Sequence, residues 1–236
     1  MDIKNKVALI TGGSKGIGLG VALAMLNEGM KVCITSRSQS DLDRVVNDIN
    51  NTNLKALVCD VTDLQAQEDC VSQIIGEFGS LDVLIANAGV GHFESIETLT
   101  PQMWHETIDI NLTGVFNSTK AVLPALKKSE GYIITIASLA GTNFFELGSA
   151  YNASKFGLVG FTQAIMLDLR KHGIKVTTIM PGSVATHFND HTPSDADAWK
   201  IQPEDIGQMV IDLLKMNPRT LPSKIEVRPT RPGGKK

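Results

Sequence analysis

The chain begins with a strand, a glycine turn and a helix in immediate succession, an order that leaves few folds open to it. Residues 7–10 form an apolar run that reads as a strand buried on both faces. The run passes directly into Thr11-Gly-Gly-Ser-Lys-Gly-Ile-Gly18 and then into a helical stretch over 19–27. Small residues at such a turn let the backbone approach a pyrophosphate, and the helix behind offers unpaired N–H groups and a favourable dipole. The spacing is Gly12-x-x-x-Gly16-x-Gly18, and the same glycines could equally serve close strand–helix packing with no ligand.

Beyond the turn, strand and helix alternate to the end. Strands are predicted at 7–10, 31–35, 55–59, 83–86, 131–136, 175–180 and 225–227. Helices are predicted at 17–28, 41–50, 64–77, 101–128, 150–171 and 203–215, with Thr100-Pro101 as the N-cap and first turn of the fourth. The pattern predicts an α/β, Rossmann-type doubly wound fold: a predominantly parallel seven-stranded sheet with helices on both faces. With 236 residues and 42% hydrophobic content, residues 1–236 can bury one core as a single domain, with a loop at 187–201 and a tail at 229–236.

Tyr151 and Lys155 are spaced i, i+4, so on a helix they share a face. An ammonium beside a phenol favours the phenolate and lowers the tyrosine pKa from about 10, which makes the phenol usable as an acid or base. Ser138, upstream, could hold a carbonyl or alcohol oxygen beside it.

Thr11-Gly-x-x-x-Gly-Ile-Gly18, Asn87-Ala-Gly89, Asn111, Ser138, Tyr151-x-x-x-Lys155 and Pro181-Gly182 stand in the order found in short-chain dehydrogenases/reductases. The resemblance runs from Lys6 to Arg228. It implies an oxidoreductase acting on CH–OH/C=O groups, with Asn111, Ser138, Tyr151 and Lys155 as the catalytic set. Tyr151 would be the general acid and Ser138 the hydrogen-bond partner of the reacting oxygen. Lys155 would tune the phenol and hold the nicotinamide ribose. Asn111 would anchor a water leading from Lys155 to solvent, or serve as a helix-kink residue.

The same resemblance assigns cofactor contacts to Gly12, Ser14, Lys15, Gly16, Ile17 and Gly18 of the turn and to Ser36 and Arg37 after the second strand. It adds Asp60 and Val61 near the adenine and Asn87, Ala88 and Gly89 along the adenosine half. Pro181, Gly182, Val184 and Thr186 would lie at the nicotinamide carboxamide. The sequence departs from the family at Ala86, where an asparagine is common, in its short 187–201 loop, and in its tail. About twenty residues past the glycine turn, NAD-binding chains carry an acid for the ribose 2′-hydroxyl. Here Thr35-Ser-Arg-Ser38 has none, and Arg37 with Lys15 suits a 2′-phosphate, so NADP (NADPH) is the expected cofactor. If both cations are merely solvated, an NAD-linked alcohol dehydrogenase is the alternative.

Phe93, Leu139, Phe144, Phe145, His187 and Phe188 are expected to line the substrate end, with Trp199 nearby, and suggest an apolar or aromatic carbonyl compound. Ketones, diketones and 3-oxoacyl thioesters are all open, as is a non-catalytic nucleotide-binding regulator. Net charge of −3 excludes a field that would recruit nucleic acid or an anionic membrane. No apolar run reaches membrane-spanning length. Cys33, Cys59 and Cys70 show no C-x-x-C spacing, no histidine motif indicates a metal, and the chain is expected in the cytoplasm. The resemblance further implies a homo-oligomer, a tetramer or a dimer.

Overall fold

Alternate residues of a strand face opposite sides of a sheet, and the first strand makes that visible. In the computed structural model, which describes residues 2–231 apart from the side chain of Asp190, β1 (Val7–Thr11) is buried along its whole length. Val7 and Leu9 enter one apolar cluster with Ile74, Leu84, Leu126, Leu158 and Met180. Ala8 and Ile10 enter the other, with Val21, Met25, Ile34, Leu42, Ile206 and Val210. Lys235 and Lys236 of the expected basic tail lie outside the described residues.

The sheet contains seven parallel strands in the order β3-β2-β1-β4-β5-β6-β7. The others are β2 (Lys31–Ser36), β3 (Leu54–Val58), β4 (Val83–Ala86), β5 (Tyr132–Ile136), β6 (Lys175–Pro181) and β7 (Lys224–Val227). The helices are α1 (Gly16–Asn27), α2 (Gln39–Ile49), α3 (Leu64–Phe78), α4 (Pro101–Ile108), α5 (Gly114–Ser129), α6 (Ser149–Leu169) and α7 (Pro203–Lys215). Side chains close three N-termini: Thr100, as expected from the sequence, accepts from Met103 N–H, and Ser38 and Asp63 accept from the N–H groups of Asp41 and Ala66.

Strand order reverses between β1 and β4, and ligands of such sheets bind beyond the carboxyl ends of the strands at that switch. A side-chain clamp sets the spacing there. Asn87 Nδ2 donates to the carbonyls of Thr11 and Gly12, both at 2.9 Å. Thr11 Oγ1 accepts from the N–H groups of Asn87 and Ala88, both at 3.1 Å.

Most helix boundaries shift by only a residue or two from the sequence expectation, but one predicted helix is divided. The stretch 101–128 is not one helix: a π-helical turn, Asp109–Thr113, separates α4 from α5. A π turn frees backbone groups from the regular ladder. Asn111 sits in this turn, fully buried, where its amide reaches a neighbouring loop. Among the described residues no helix is long and apolar enough to cross a membrane, and no group of His, Cys, Asp and Glu could hold a metal ion. All three cysteines are free and buried, and Cys59 lies just past β3 rather than within it.

Candidate active site

A cleft of about 500 Å³ opens at the switch point. Its floor is the glycine turn. Gly12 has φ +64°, and a Cβ there would stand 2.9 Å from Ala88 Cα. Gly16 has φ +55°, and a Cβ would stand 3.3 Å from the Thr186 side chain. A side chain at either position would be strained and would fill the gap between the turn and its neighbours. No side chain caps α1, so its first N–H groups face the cleft without a protein side chain of their own. A bare helix start and two glycines that keep the backbone accessible fit a dinucleotide pyrophosphate.

The structure brings Gly12, Ser14, Lys15, Gly16, Ile17, Ser36, Asn87, Ala88, Gly89, Pro181, Gly182, Val184 and Thr186 to the cleft wall. Gly18 lies beneath, where a Cβ would be 2.4 Å from the Gly12 carbonyl. Arg37 is exposed past the end of β2 and outside this wall, with no ion pair among the described residues. Asp60 and Val61 also lie outside it. The Asp60 carboxylate accepts from Thr62 N–H and Oγ1, and the Val61 carbonyl accepts from Gln67 and Asn117.

Beyond the dinucleotide half stand Ser138, Tyr151 and Lys155. Ser138 follows β5 and its Oγ accepts from Ala140 N–H, starting a short 3₁₀ turn over Leu139–Gly141. Tyr151 and Lys155 face the cleft from the first turns of α6. Burial pushes the phenol up to about 12, against a hydrogen bond from Ser138 that pulls it down. Burial pulls the Lys155 amine down to about 8. The expectation of a phenol lowered by its neighbouring ammonium is thereby corrected. Lys155 Nζ donates instead to the Ile136 carbonyl at 3.2 Å, and desolvation dominates both groups.

Asn111 braces this arrangement from the π turn. Its Oδ1 accepts from Val90 N–H at 2.8 Å, and its Nδ2 donates to the Val90 carbonyl at 2.8 Å and to Ser154 Oγ at 3.0 Å. A Cβ at Gly89 would lie 3.3 Å from Asn111 Oδ1 and 3.7 Å from Lys155 Nζ, so only a glycine leaves the gap between them open.

Three phenylalanines surround the phenol. Phe93, Phe188 and Phe145 place their ring centres 5.3, 5.8 and 6.5 Å from that of Tyr151. Of the residues expected at the substrate end, Phe93, His187 and Phe188 line the cleft, whereas Leu139, Phe144, Phe145 and Trp199 do not, and Phe144 is 85% exposed. His191, within the 187–199 loop expected at the open end, and Lys200, which the sequence reading missed, are both on the cleft wall. Buried Asp197 joins them, with His191 Nε2 at 2.7 Å and Lys200 Nζ at 2.6 Å. These two contacts, Lys200 first, hold its carboxyl well below the usual carboxylate range. The acid-rich run Asp195–Asp197 was the only signal in the sequence, and it does not say which base it meets.

Fold and cleft define a nucleotide-dependent oxidoreductase. Residues 6–197 match the family model described as short chain dehydrogenase, and the chain belongs to that family. It is 33% identical over 233 residues to an uncharacterized oxidoreductase of Staphylococcus saprophyticus, covering 97% of this chain and 99% of the relative. Among solved structures it resembles an alcohol dehydrogenase of the archaeon Thermococcus sibiricus complexed with 5-hydroxy-NADP (TM-score 0.89, 27% identity, 96% and 98% of the two chains). It equally resembles a 3-ketoacyl-(acyl-carrier-protein) reductase of Brucella melitensis complexed with NADH (TM-score 0.89, 25% identity, 97% and 99%). The chain is thus an oxidoreductase acting on CH–OH/C=O groups with a nicotinamide dinucleotide.

Proposed function

We propose that the protein is an NADPH-dependent reductase of apolar or aromatic ketones, with Tyr151 as the general acid. The observation that carries this reading is the Ser138–Tyr151–Lys155 group, with Lys155 buried, beside a collar of Phe93, Phe145 and Phe188. The bound nicotinamide would supply the hydride. Every other task belongs to the chain. Ser138 orients the carbonyl oxygen, and Tyr151, protonated at neutral pH because burial raises its pKa, gives that oxygen its proton. Lys155 holds the cofactor ribose. Asn111 fixes the loop after β4 against α6, and Asn87 holds the glycine turn open.

Preference for NADPH rests on Arg37 and Lys15 and on the missing acid between Thr35 and Ser38. A homo-oligomer, a tetramer or a dimer, is supported by half-exposed apolar side chains on neighbouring helices, including Trp104 on α4, Phe116 on α5, and Phe156 and Leu167 on α6. An NAD-linked alcohol dehydrogenase is the second reading, favoured by the exposure of Arg37 outside the cleft wall. The deciding experiment follows the absorbance of NADPH and then NADH against ketones, diketones, aldehydes and 3-oxoacyl thioesters. Oxidation of NADPH by apolar ketones supports the reading. Turnover only with NADH, or only of alcohols with NAD, overturns it.

A further inference from the structure

A second hollow, of about 380 Å³, adjoins the phenylalanine collar, walled by Phe144, Phe145, Leu147, Ile96, Glu94 and Glu146 among others. Phe145 lines this hollow but not the inner cleft, and its ring packs against two residues that do line the cleft, Phe93 and Tyr151. Its ring centre lies 5.8 Å from that of Phe93 and 6.5 Å from that of Tyr151, while its side chain also faces the hollow.

The side chains here are costly to leave in water. Ile96 is 75% exposed, Phe144 85%, and Phe145 and Leu147 47% each. Leu147 carries a second cost, since its φ is +64°, a left-handed conformation that a glycine or asparagine adopts more cheaply. The loop is nevertheless held in place. Buried Asn152, next to Tyr151, donates to the carbonyls of Ala140 and Asn143 at 2.7 and 2.8 Å and accepts from Phe145 N–H. A strained leucine beside three exposed apolar side chains, on a loop tied to the helix that bears Tyr151, indicates a surface completed by a ligand.

The charge of the rim narrows the ligand. Glu94 and Glu146 both line the hollow, and no lysine, arginine or histidine does among the described residues. Two carboxylates in a partly apolar hollow repel an anion.

We propose that this hollow is the outer half of the substrate site and takes a neutral apolar tail, so that the physiological substrate is an uncharged, extended ketone rather than a thioester on a phosphate-bearing carrier. The proposal rests on the carbonyl-reductase reading of the inner cleft and adds to it the shape and charge of the molecule. With the carbonyl between Ser138 and Tyr151, the tail passes the edge of Phe145 and lies on Leu147, Ile96 and Phe144.

The test measures kcat/KM with NADPH for neutral ketones from 2-butanone to 2-dodecanone, and for an anionic 3-oxoacyl-coenzyme A of matched length. The dissociation constants of the corresponding 2-alkanols are measured by calorimetry. Both quantities should improve about threefold to fourfold per methylene while the tail fills the hollow. Ile96→Asp and Leu147→Gly should flatten that rise for the long ketones, with a far smaller effect on 2-butanone, whose chain ends short of the hollow. Leu147→Gly relieves the left-handed backbone, so its folding is secure. A series without a slope, an unchanged slope in both variants, or a preference for the anionic thioester overturns the proposal. If no ketone is turned over, the reductase reading fails, while the slope in alkanol affinity still decides this one.

Discussion

The Lys155 Nζ atom stands 5.6 Å from the centre of the Tyr151 ring and points its hydrogen bond away from it, at the Ile136 carbonyl. The two groups are therefore each controlled by burial. The phenol stays protonated up to about 12, and the amine loses its charge above about 8. For carbonyl reduction the acid form of Tyr151 is the one required, so the reductive rate should not rise with pH. We expect kcat/KM for reduction to be level up to about pH 8 and to fall above it as the Lys155 ammonium discharges. Alcohol oxidation needs the phenolate and should increase with pH over the same range. A reductive rate that climbs from pH 7 to 9 would contradict this ordering. Tyr151→Phe should bind NADPH normally in a fluorescence titration and lose about a hundredfold to ten-thousandfold in turnover.

Stability should carry the mark of the same lysine. Its pKa in the folded protein, about 8, lies below the ordinary 10.5, so between those values the unfolded chain binds more protons than the folded one. Stability from this group therefore rises with pH across that window, and below pH 8 the cost of burying the ammonium is present in full. The difference corresponds to about 3 kcal/mol. Lys155→Met removes that cost, so at pH 7 the variant should melt several degrees above the wild-type protein while losing its activity. The gap in Tm should shrink at pH 9.5. A variant that melts lower at both pH values would show that the bond to Ile136 outweighs the desolvation.

The proposed preference for NADPH can be tested at Arg37, which is exposed and without an ion pair among the described residues. A 2′-phosphate beside Ser36 would give its guanidinium two charge-assisted bonds, and an aspartate there would repel the phosphate and accept from a ribose hydroxyl. Arg37→Asp should raise the KM for NADPH by at least about tenfold and leave the KM for NADH unchanged or lower. Equal losses with both cofactors would remove Arg37 from 2′-phosphate recognition.

What the sequence disclosed was local. The glycine turn, the i, i+4 pair and the Thr100 cap depend on neighbours in the chain, and the structure has them where spacing puts them. Adjacent residues can defeat such reading. Phe144 and Phe145 look alike in sequence, yet the Phe145 ring packs on Phe93 while Phe144 is 85% exposed, and nothing in the local pattern says which of the two finds that partner. The Asp197 contacts and the π turn were also hidden. The first is a meeting of loop residues with no periodicity, and the second leaves the apolar pattern of 101–128 unbroken.

The π turn and the site are joined through Asn111, and the joint can be tested. All three of its hydrogen bonds go to groups within the protein, two to the Val90 backbone and one to Ser154 Oγ, a turn away from Tyr151. Replacing Asn111 by leucine, of similar size, leaves buried donors and acceptors unpaired at a cost of about 1–3 kcal/mol each. Asn111→Leu should therefore lower the urea midpoint without changing the slope of the transition, and it should reduce kcat more than it raises the KM for NADPH. Asn111→Asp keeps the acceptor for Val90 N–H and loses both donated bonds, so its midpoint should fall between those of the leucine variant and the wild type. If the leucine variant matches the wild type in midpoint and kcat, Asn111 is neither the brace nor the link that this geometry makes it.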